Sequence, residues 1–335
     1  MSNKVLIVTH SSDLHADLVV ERMLARDHQP FRIDLDAFPR DYQLSQTFVN
    51  GCMSTQMRRC PDGEWLDLAR VGAVWIRKAA NYAFLSEDLS LQERAYAKLE
   101  TEQALFGVLY TLDCYWMSHP AALRASQWKG EQLQRAMRMG FRIPASIVTN
   151  CAERVRAFRR AIGGQMIFKT MSTPTLAAED VDGAERISDG VLTTLVDDAM
   201  MENLDAVGEL TCHFQEYIPK QYELRVTVIG ERVFAARIHS QDDRRSAIDS
   251  RDMAADVRYA AHVLPREIEQ RCREFVHSYG LNYGALDLIV TPEGEFVFLE
   301  NNPAGQFLYI EELVPELDML DTIATTLIKE ATCRK

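Results

Sequence analysis

The sequence predicts a mixed α/β (α+β) fold built from two or three domains. The first third of the chain alternates strand-like and helix-like segments, which is typical of a parallel sheet covered by helices. The last third contains two hairpin patterns, which require antiparallel strands. A chain of 335 residues with 47% hydrophobic content is long enough for several packed units.

Residues 1–125 are predicted to form the first domain. Its strands are short apolar runs, and Ser12 or Asp13 is suited to cap its first helix. The tripeptide Pro61-Asp62-Gly63 is a turn signal and predicts a hairpin. The predicted elements are a strand at 4–9, a helix at 13–26, a strand at 31–34, a hairpin around 61–63, a strand at 72–76 and a helix at 90–112.

A second domain is predicted at 126–215 and a third at 216–335. The polar, turn-rich segment 171–190 is expected to be a mobile loop or a short hairpin arm. Elements predicted for the second domain are helices at 126–139 and 152–162 and strands at 145–148 and 166–169. Elements predicted for the third are a hairpin of 222–229 with 232–239, a helix at 265–279, a hairpin of 284–291 with 295–301, and a helix at 318–331.

Composition excludes several classes of protein. The net charge of −12 argues against general nucleic-acid binding, since phosphate neutralisation needs an excess of Lys and Arg. No apolar run approaches the length of a membrane span, and the first residues lack the pattern of a signal peptide. Seven cysteines without a C-x-x-C pair indicate buried thiols in a reducing compartment, so we expect a cytoplasmic protein.

The last hairpin contains a candidate metal site. If its turn centres on 292–294, Asp287 faces Glu300 across the ladder, and Asn302 lies on the same face as Glu300. Opposed carboxylates repel each other, and a divalent cation removes this cost. Oxygen donors of this kind suit Mg²⁺. The alternative is that these are ordinary polar residues at exposed strand ends.

Charged side chains elsewhere could hold a nucleotide. The chain has neither a Walker P-loop nor a G-x-G-x-x-G motif, so a glycine cradle for phosphate is missing. Lys169 ends a buried strand and Lys129 opens a helix, although single lysines are also common at surfaces. A pair formed by Arg225 and Arg237 would suit phosphate oxygens. A two-residue turn would put them on opposite faces, and a one-residue bulge would bring them together.

The order of these parts resembles the ATP-grasp fold, with a Rossmann-like domain before it. The resemblance rests on two spaced lysines, the Q-E-Y-I segment at 215–218, the E-L-R strand at 223–225 and the D…E-x-N hairpin. It implies ATP and Mg²⁺ as cofactors and a specific role for each position. The implied ATP contacts are Lys129 and Lys169 for phosphates, Glu216, Tyr217 and Ile218 for adenine and Glu223 for ribose; the implied metal ligands are Asp287, Glu300 and Asn302.

A narrower resemblance is to the microviridin-type (graspetide) peptide macrocyclases. It is carried by residues 5–17, 31–39, 74–77 and 298–307. These enzymes join Asp or Glu side chains of a ribosomal precursor peptide to Ser, Thr or Lys side chains as ω-esters or ω-amides, and similar members are often dimeric. The resemblance therefore implies an ADP-forming ligase with a precursor peptide as its partner, and a homodimer. One departure is that the segment after Lys169 is poor in glycine.

Two alternatives remain open from sequence. The chain could be a free-standing ligase that joins amino acids or modifies a protein terminus, like the glutathione-synthetase-like enzymes, or an inactive nucleotide-binding scaffold. Residues 121–170 carry ten Lys or Arg against two acids, a net +8. The positive potential of this segment could attract an acidic peptide to the arginines of helix 152–162. Alternatively, these charged residues could simply form solvated helix surfaces.

Overall fold

The structure, a computed structural model, describes residues 3–172, 191–243, 245, 246, 248 and 257–333. Their strands form four sheets. From residue 173 onward, the segment predicted as a mobile loop or hairpin arm lies outside the described residues. None of the described helices has the length and apolar character needed to cross a membrane.

The first part of the chain forms a parallel sheet and a small antiparallel sheet. The parallel sheet has the order β2-β1-β6-β7, and the antiparallel sheet has the order β3-β4-β5. Their elements are β1 (Lys4–Thr9), α1 (Leu14–Leu24), β2 (Phe31–Asp34), β3 (Tyr42–Val49), β4 (Cys52–Arg59), β5 (Trp65–Asp67), β6 (Val71–Ile76), α2 (Leu91–Leu109), β7 (Tyr115–Trp116) and α3 (Pro120–Ala125).

Two features of this region differ from the sequence-based prediction. The hairpin expected around 61–63 is confirmed as β4–β5, but β3, which pairs with β4 along its whole length, was not predicted. Helix α2, which was predicted at 90–112, begins after Ser90 with a capping box and ends at Leu109. Its apolar residues do not form one buried face, because Leu91 is 88% exposed while Leu105 is fully buried.

The middle part forms a four-stranded antiparallel sheet of order β10-β9-β11-β8. Helix α5 covers one face of it, where Val155 packs with Phe214. The predicted helix at 126–139 begins only at Lys129, because α3 ends just before it. The elements are α4 (Lys129–Arg138), β8 (Ser146–Thr149), α5 (Ala152–Ile162), β9 (Met166–Lys169), β10 (Thr194–Leu195), α6 (Asp198–Glu202) and β11 (Cys212–Glu216).

The last part forms a five-stranded sheet of order β14-β13-β12-β15-β16. Helix α7 covers one face, where Phe275 packs with Leu224 and Leu288. Both predicted hairpins are confirmed, as β12–β13 and β15–β16. The elements are β12 (Tyr222–Ile229), β13 (Arg232–Ile238), β14 (Tyr259–Ala261), α7 (Arg266–His277), β15 (Tyr283–Val290), β16 (Phe296–Asn302), α8 (Leu308–Leu313) and α9 (Met319–Cys333).

Helix α9 packs on the first sheet. Its Ile323 and Leu327 are fully buried in one cluster with Val5 and Ile7 of β1 and with Val19 of α1. The same cluster also contains Ile229 of β12 and Tyr283 of β15. A Cβ atom on Gly72 of β6 would lie 2.4 Å from the carbonyl oxygen of Ala331, so only glycine permits this approach. The parallel sheet is therefore covered on one side by helices from both ends of the chain.

Candidate active site

Five polar side chains share one face of the sheet formed by β12, β15 and β16. Asp287 lies between Arg225 on one neighbouring strand and Glu300 on the other, and directly paired residues point to the same face. Because side chains repeat every second residue, Glu223 and Asn302 extend this face. The set is Glu223, Arg225, Asp287, Glu300 and Asn302.

The predicted pairing of Asp287 with Glu300 is confirmed, but the ladder is not regular. Its register shifts between Asp287 and Leu288, so that Leu288 pairs with Phe298 and Leu299 is the extra residue. A bulge of this kind bends the strand and redirects the side chains beside it. The shift lies next to both acids, so it shapes the site itself.

Each of the two facing acids has a cationic partner. Arg225 Nη1 donates to Asp287 Oδ1 at 2.7 Å, and Lys129 Nζ lies 3.1 Å from Glu300 Oε2. Asn302 Nδ2 also donates to Asp287 Oδ2, at 3.0 Å. The repulsion expected between the acids is therefore reduced by one arginine and one lysine.

Burial raises the pKa of Asp287; Arg225 opposes this change and the facing Glu300 adds to it. Arg225 responds in the opposite sense. Burial alone would lower its pKa, but the charge of Asp287 raises it above the ordinary value. The two side chains therefore form a charge-assisted pair, in which Arg225 is 10% exposed and Asp287 is 28% exposed.

The side chains of Asp287, Glu300 and Asn302 are suited to bind a magnesium ion whose remaining ligands come from the substrate. Two carboxylates and an amide supply oxygen donors, and the amide nitrogen of Asn302 already points to Asp287, which leaves its oxygen available. Within the described ranges, no group of three or more His, Cys, Asp or Glu side chains could hold a metal alone. Mg²⁺ commonly uses one or two carboxylates and completes its shell with phosphates and water.

The two predicted phosphate lysines approach this face from the middle part of the chain. Lys129, at the start of α4, donates to the carbonyl oxygen of Thr170 at 2.8 Å besides meeting Glu300. Lys169, at the end of β9, pairs with His213 of β11 on the face of the sheet opposite to α5. The structure therefore brings Lys129, Lys169 and Glu300 into one region.

The predicted adenine segment connects β11 to β12. The backbone N–H groups of Glu216 and Tyr217 donate to Ala145 and Gln165, at 2.8 and 2.9 Å. The N–H of Ile218 has no acceptor among the residues that the structure describes, and its side chain packs on Ile289, Val297 and Leu299. A cavity of about 530 Å³ opens beside this segment, and Glu216, Ile218 and Pro219 line it. Neither Lys129 nor Lys169 lines this cavity. The phosphate end of the proposed ATP site is therefore identified from the contacts of the two lysines and not from the cavity.

Glu223, the predicted ribose contact, lies on the site face but is engaged. Lys220 Nζ donates to its Oε1 at 2.6 Å, and both side chains are largely buried. Lys220 also donates to the carbonyl oxygen of Ile248 at 3.2 Å. The ion pair holds Glu223 beside Arg225 and Asp287, at the edge of the site nearest the adenine segment.

The structure decides between the two registers that the sequence left open for Arg225 and Arg237. The β12–β13 ladder has no bulge, so Arg225 pairs with Ala236 and Arg237 pairs with Leu224. Arg237 consequently points to the opposite face, where its guanidinium stacks 3.8 Å from the centre of the Tyr222 ring. It does not meet Arg225 or the carboxylates, and we do not assign it a catalytic role.

Gln132 of α4 supports the metal residues and was not predicted. Its Oε1 accepts from the backbone N–H of Asn301 at 2.8 Å, and its Nε2 donates to the carbonyl oxygen of the same residue at 2.9 Å. Asn301 lies between Glu300 and Asn302. A buried amide therefore fixes the backbone between two proposed ligands. Because 169 residues separate the partners, no local pattern could have revealed the contact.

His213 was also missed. It is 3% exposed, and neither ring nitrogen has a hydrogen-bond partner within the described part of the chain. Burial lowers its pKa to about 4, the charges of Lys169 and Lys129 add to this, and Glu300 opposes it. The imidazole is therefore neutral near pH 7. His213 alternates with Cys212 and Phe214, whose side chains pack with α5, and this alternation was the signal available in the sequence.

Residues 4–124 match the family model described as the MvdD pre-ATP grasp domain. The chain is 31% identical to a RiPP-associated ATP-grasp ligase of Chryseobacterium gregarium, solved with ADP and a leader and core peptide. The TM-score is 0.87, and the match covers 98% of this chain and 97% of that one. No curated protein matches the chain.

Two macrocyclases of Microcystis aeruginosa MRC are also similar. MdnC, solved with its precursor peptide MdnA, is 30% identical with a TM-score of 0.83, over 97% of this chain and 99% of that one. MdnB is 28% identical with a TM-score of 0.77, over the same shares. The expected ATP-grasp fold with a pre-ATP-grasp domain is thus confirmed. The chain is an ATP-dependent ligase that belongs to the ATP-grasp family of RiPP macrocyclases.

Proposed function

We propose that this enzyme closes rings in a ribosomal precursor peptide by activating Asp or Glu side chains with ATP. The observation that carries the proposal is the convergence of Asp287, Glu300 and Asn302 with Lys129 and Lys169. This arrangement suits phosphoryl transfer, in which catalysis consists mainly of positioning and charge stabilisation. Relatives with at least 30% identity were solved with ADP or with a precursor peptide.

The reaction has two steps, phosphorylation of a peptide carboxylate and ring closure. A carboxylate oxygen of the peptide forms a bond to the γ-phosphorus of ATP while the bond to ADP breaks, which gives an acyl phosphate. A hydroxyl or amine of the same peptide then attacks the acyl carbon, loses its proton and releases phosphate. Each linkage therefore removes one water from the peptide.

The chain supplies charge and order for these steps. Asp287, Glu300 and Asn302 would hold Mg²⁺, which neutralises the charge that develops on the transferred group. Lys129 and Lys169 would bind phosphates, Ile218 would offer its backbone N–H to adenine, and Glu216 and Tyr217 would keep that segment in place.

Glu223 would accept the ribose hydroxyls after its carboxylate moves from Lys220. Arg225 is proposed to bind the reacting carboxyl group while it holds Asp287 in place.

A precursor rich in Asp and Glu would be drawn to the basic segment 121–170. Among the four arginines of α5, Arg156 and Arg159 are half-buried whereas Arg154 and Arg160 are exposed. Arg159 Nη1 is buried and has no partner among the described residues. Arg156 and Arg159 are three positions apart and share a helix face. We propose that this face contacts the peptide.

The test is to incubate the enzyme with ATP, Mg²⁺ and a candidate acidic, Thr-rich peptide, and to measure both nucleotide and peptide products. We expect ADP and phosphate, with the loss of one water per linkage by mass spectrometry. AMP and pyrophosphate would contradict the mechanism. Addition of a residue would support the free-standing ligase, and an unchanged peptide with unchanged ATP would support the scaffold.

We also propose a homodimer that works in the cytoplasm. Large apolar side chains are exposed on the β3–β4 hairpin and along α2, among them Phe48 at 71%, Leu91 at 88% and Leu99 at 60%. Exposed apolar surface of this kind suits a second copy. Seven free cysteines fit a reducing compartment. Light scattering should give twice the chain mass, and Leu91→Glu with Leu99→Glu should give the monomer mass.

A further inference from the structure

Arg77 is a buried arginine with unused donors. It follows β6 directly, at the carboxyl end of the parallel sheet, and is 4% exposed. Its Nη1 donates to the carbonyl oxygen of Ala304 at 2.9 Å. Its Nε and Nη2 are buried and have no hydrogen-bond partner in the part of the chain that the structure describes. Buried charges ordinarily have partners, so this guanidinium is suited to an anion that the protein does not supply.

Arg225 contacts the same turn. Its Nη2 lies 3.4 Å from the carbonyl oxygen of Gln306, and its Nε is likewise buried without a partner among the described residues. A Cβ atom on Gly305 would lie only 3.0 Å from this Nη2. Since Ala304 and Gln306 are two residues apart, their Cα atoms are at most about 7.6 Å apart. Two guanidinium groups that come from different sheets therefore each donate to one short turn.

Tyr283 gives an independent indication that the two arginines are close. Its hydroxyl donates to the carbonyl oxygen of Gly305 at 2.7 Å, in the middle of this turn. Burial raises the pKa of Tyr283 to about 12, while the charges of Arg77 and Arg225 both act to lower it. One hydroxyl on the turn is thus within electrostatic reach of both groups.

The acids that interact with these two arginines do not use their free donors. Asp13, whose charge interacts with that of Arg77, accepts instead from Thr9 Oγ1 at 2.6 Å. Asp287 accepts from Nη1 of Arg225, which leaves the Nε of that arginine free within the described residues. Three nitrogens on two guanidinium groups therefore remain for a ligand that arrives from outside.

We propose that Arg77, together with Arg225, binds the peptide carboxylate that becomes phosphorylated. The turn they share follows Asn302 directly, so a carboxylate held there lies beside the proposed Mg²⁺ and γ-phosphate. Planar guanidinium groups match the two oxygens of a carboxylate. Arg77 thus takes the place that the sequence had suggested for Arg237, as the second arginine of the pair. This inference rests on the proposed macrocyclase function.

The test compares Arg77→Gln and Arg77→Lys with Arg70→Gln, which changes an arginine just before the other end of the same strand. We expect Arg77→Gln to reduce kcat/KM for the peptide by about 10- to 100-fold, the effect of losing charge-assisted hydrogen bonds. Affinity for ATP, measured by calorimetry without peptide, should stay within about twofold of the wild type. Arg77→Lys keeps the charge without the planar fork and should recover only part of the activity.

A merely structural role of Arg77 predicts different results. If Arg77 only anchors the turn at Ala304, Arg77→Gln should weaken ATP binding and peptide turnover together, and that outcome would overturn the proposal. Unchanged peptide kinetics would also overturn it. In Arg77→Ala, added guanidinium ions should restore turnover, whereas methylammonium should not. A wild-type enzyme that forms no rings contradicts the proposed function itself; an active wild type with a fully active Arg77→Gln contradicts only this inference.

Discussion

Substitution of Gln132 by Leu should disturb the metal residues without touching any of them. Gln132 is 2% exposed and makes three hydrogen bonds, of 2.6 Å to the carbonyl oxygen of Ser126 and of 2.8 and 2.9 Å to the backbone of Asn301. Leucine has a similar volume but no donor or acceptor. The substitution therefore leaves three buried backbone groups unpaired.

The expected loss of stability follows from these contacts. An unsatisfied buried group costs about 1–3 kcal/mol, and neighbouring losses are not additive. We therefore expect Gln132→Leu to lower the free energy of unfolding by about 3–5 kcal/mol. For a chain of this length, with an unfolding entropy of about 2.1 cal/mol/K per residue, the melting temperature should fall by roughly 4–7 °C.

The functional effect should appear in the magnesium dependence. Asn301 lies between Glu300 and Asn302, so a displaced backbone changes the geometry of both proposed ligands at once. We expect the Mg²⁺ concentration for half-maximal rate to rise by about tenfold, a change of about 1.4 kcal/mol. Titration of the steady-state rate with MgCl₂ at saturating ATP and peptide measures this directly.

Gln134→Leu is the matched control, because Gln134 lies on the same helix and is exposed. It should leave both the melting temperature and the Mg²⁺ titration unchanged. A variant Gln132→Leu that is less stable but has the wild-type Mg²⁺ dependence would refute the positioning argument. An unchanged melting temperature would also refute the claim that the three hydrogen bonds of Gln132 stabilise the folded protein.

Three further predictions address the acids, the basic helix and the buried histidine. Glu300→Gln should reduce turnover by at least about 100-fold, the scale of losing a group that stabilises transferring charge, with a small change in melting temperature; substantial residual activity would remove Glu300 from the site. Charge reversal at Arg156 and Arg159 should weaken peptide binding but not ATP binding, whereas charge reversal at Arg154 and Arg160 should change neither affinity much. If both double variants have the same effect in a peptide-binding assay, the arginines of α5 only form a solvated surface. His213 has a folded-state pKa of about 4 against 6.5 for the ordinary group, so the unfolded chain binds its proton first. The resulting stability loss develops as the pH falls from 6.5 to 4, reaches up to about 3 kcal/mol, and should be absent from His213→Asn in pH-dependent urea unfolding.

The elements near the site were predictable because local patterns define them. The turns at Gly230-Glu231 and Pro292–Gly294 fix the registers of their hairpins, and numbering across the second ladder placed Asp287 opposite Glu300. The bulge at Leu299 was not predictable, since one extra residue in an apolar strand leaves no compositional signal.

The sequence did not predict those features that depend on contacts between distant residues or on exposed strands. Strand β3 alternates weakly and is largely exposed, so no buried face marked it in the sequence. Gln132 acts on a residue 169 positions away, and Arg77 meets a turn 227 positions away. The sequence could not decide whether Arg237 joins Arg225, because that depends on a one-residue bulge, and the regular register placed Arg237 on the opposite face.

The position of α9 bears on how the chain reaches its folded state. During synthesis, β1 and β6 leave the ribosome long before residues 319–333 exist, so only α1 can cover the face with Val5 and Ile7 for most of translation. The parallel sheet is therefore expected to reach full stability only after the rest of the chain has been made, and residues 1–125 expressed alone should expose this apolar face and aggregate. Cleavage between β16 and α9 should loosen the sheet that carries Arg77, although the cut lies outside it.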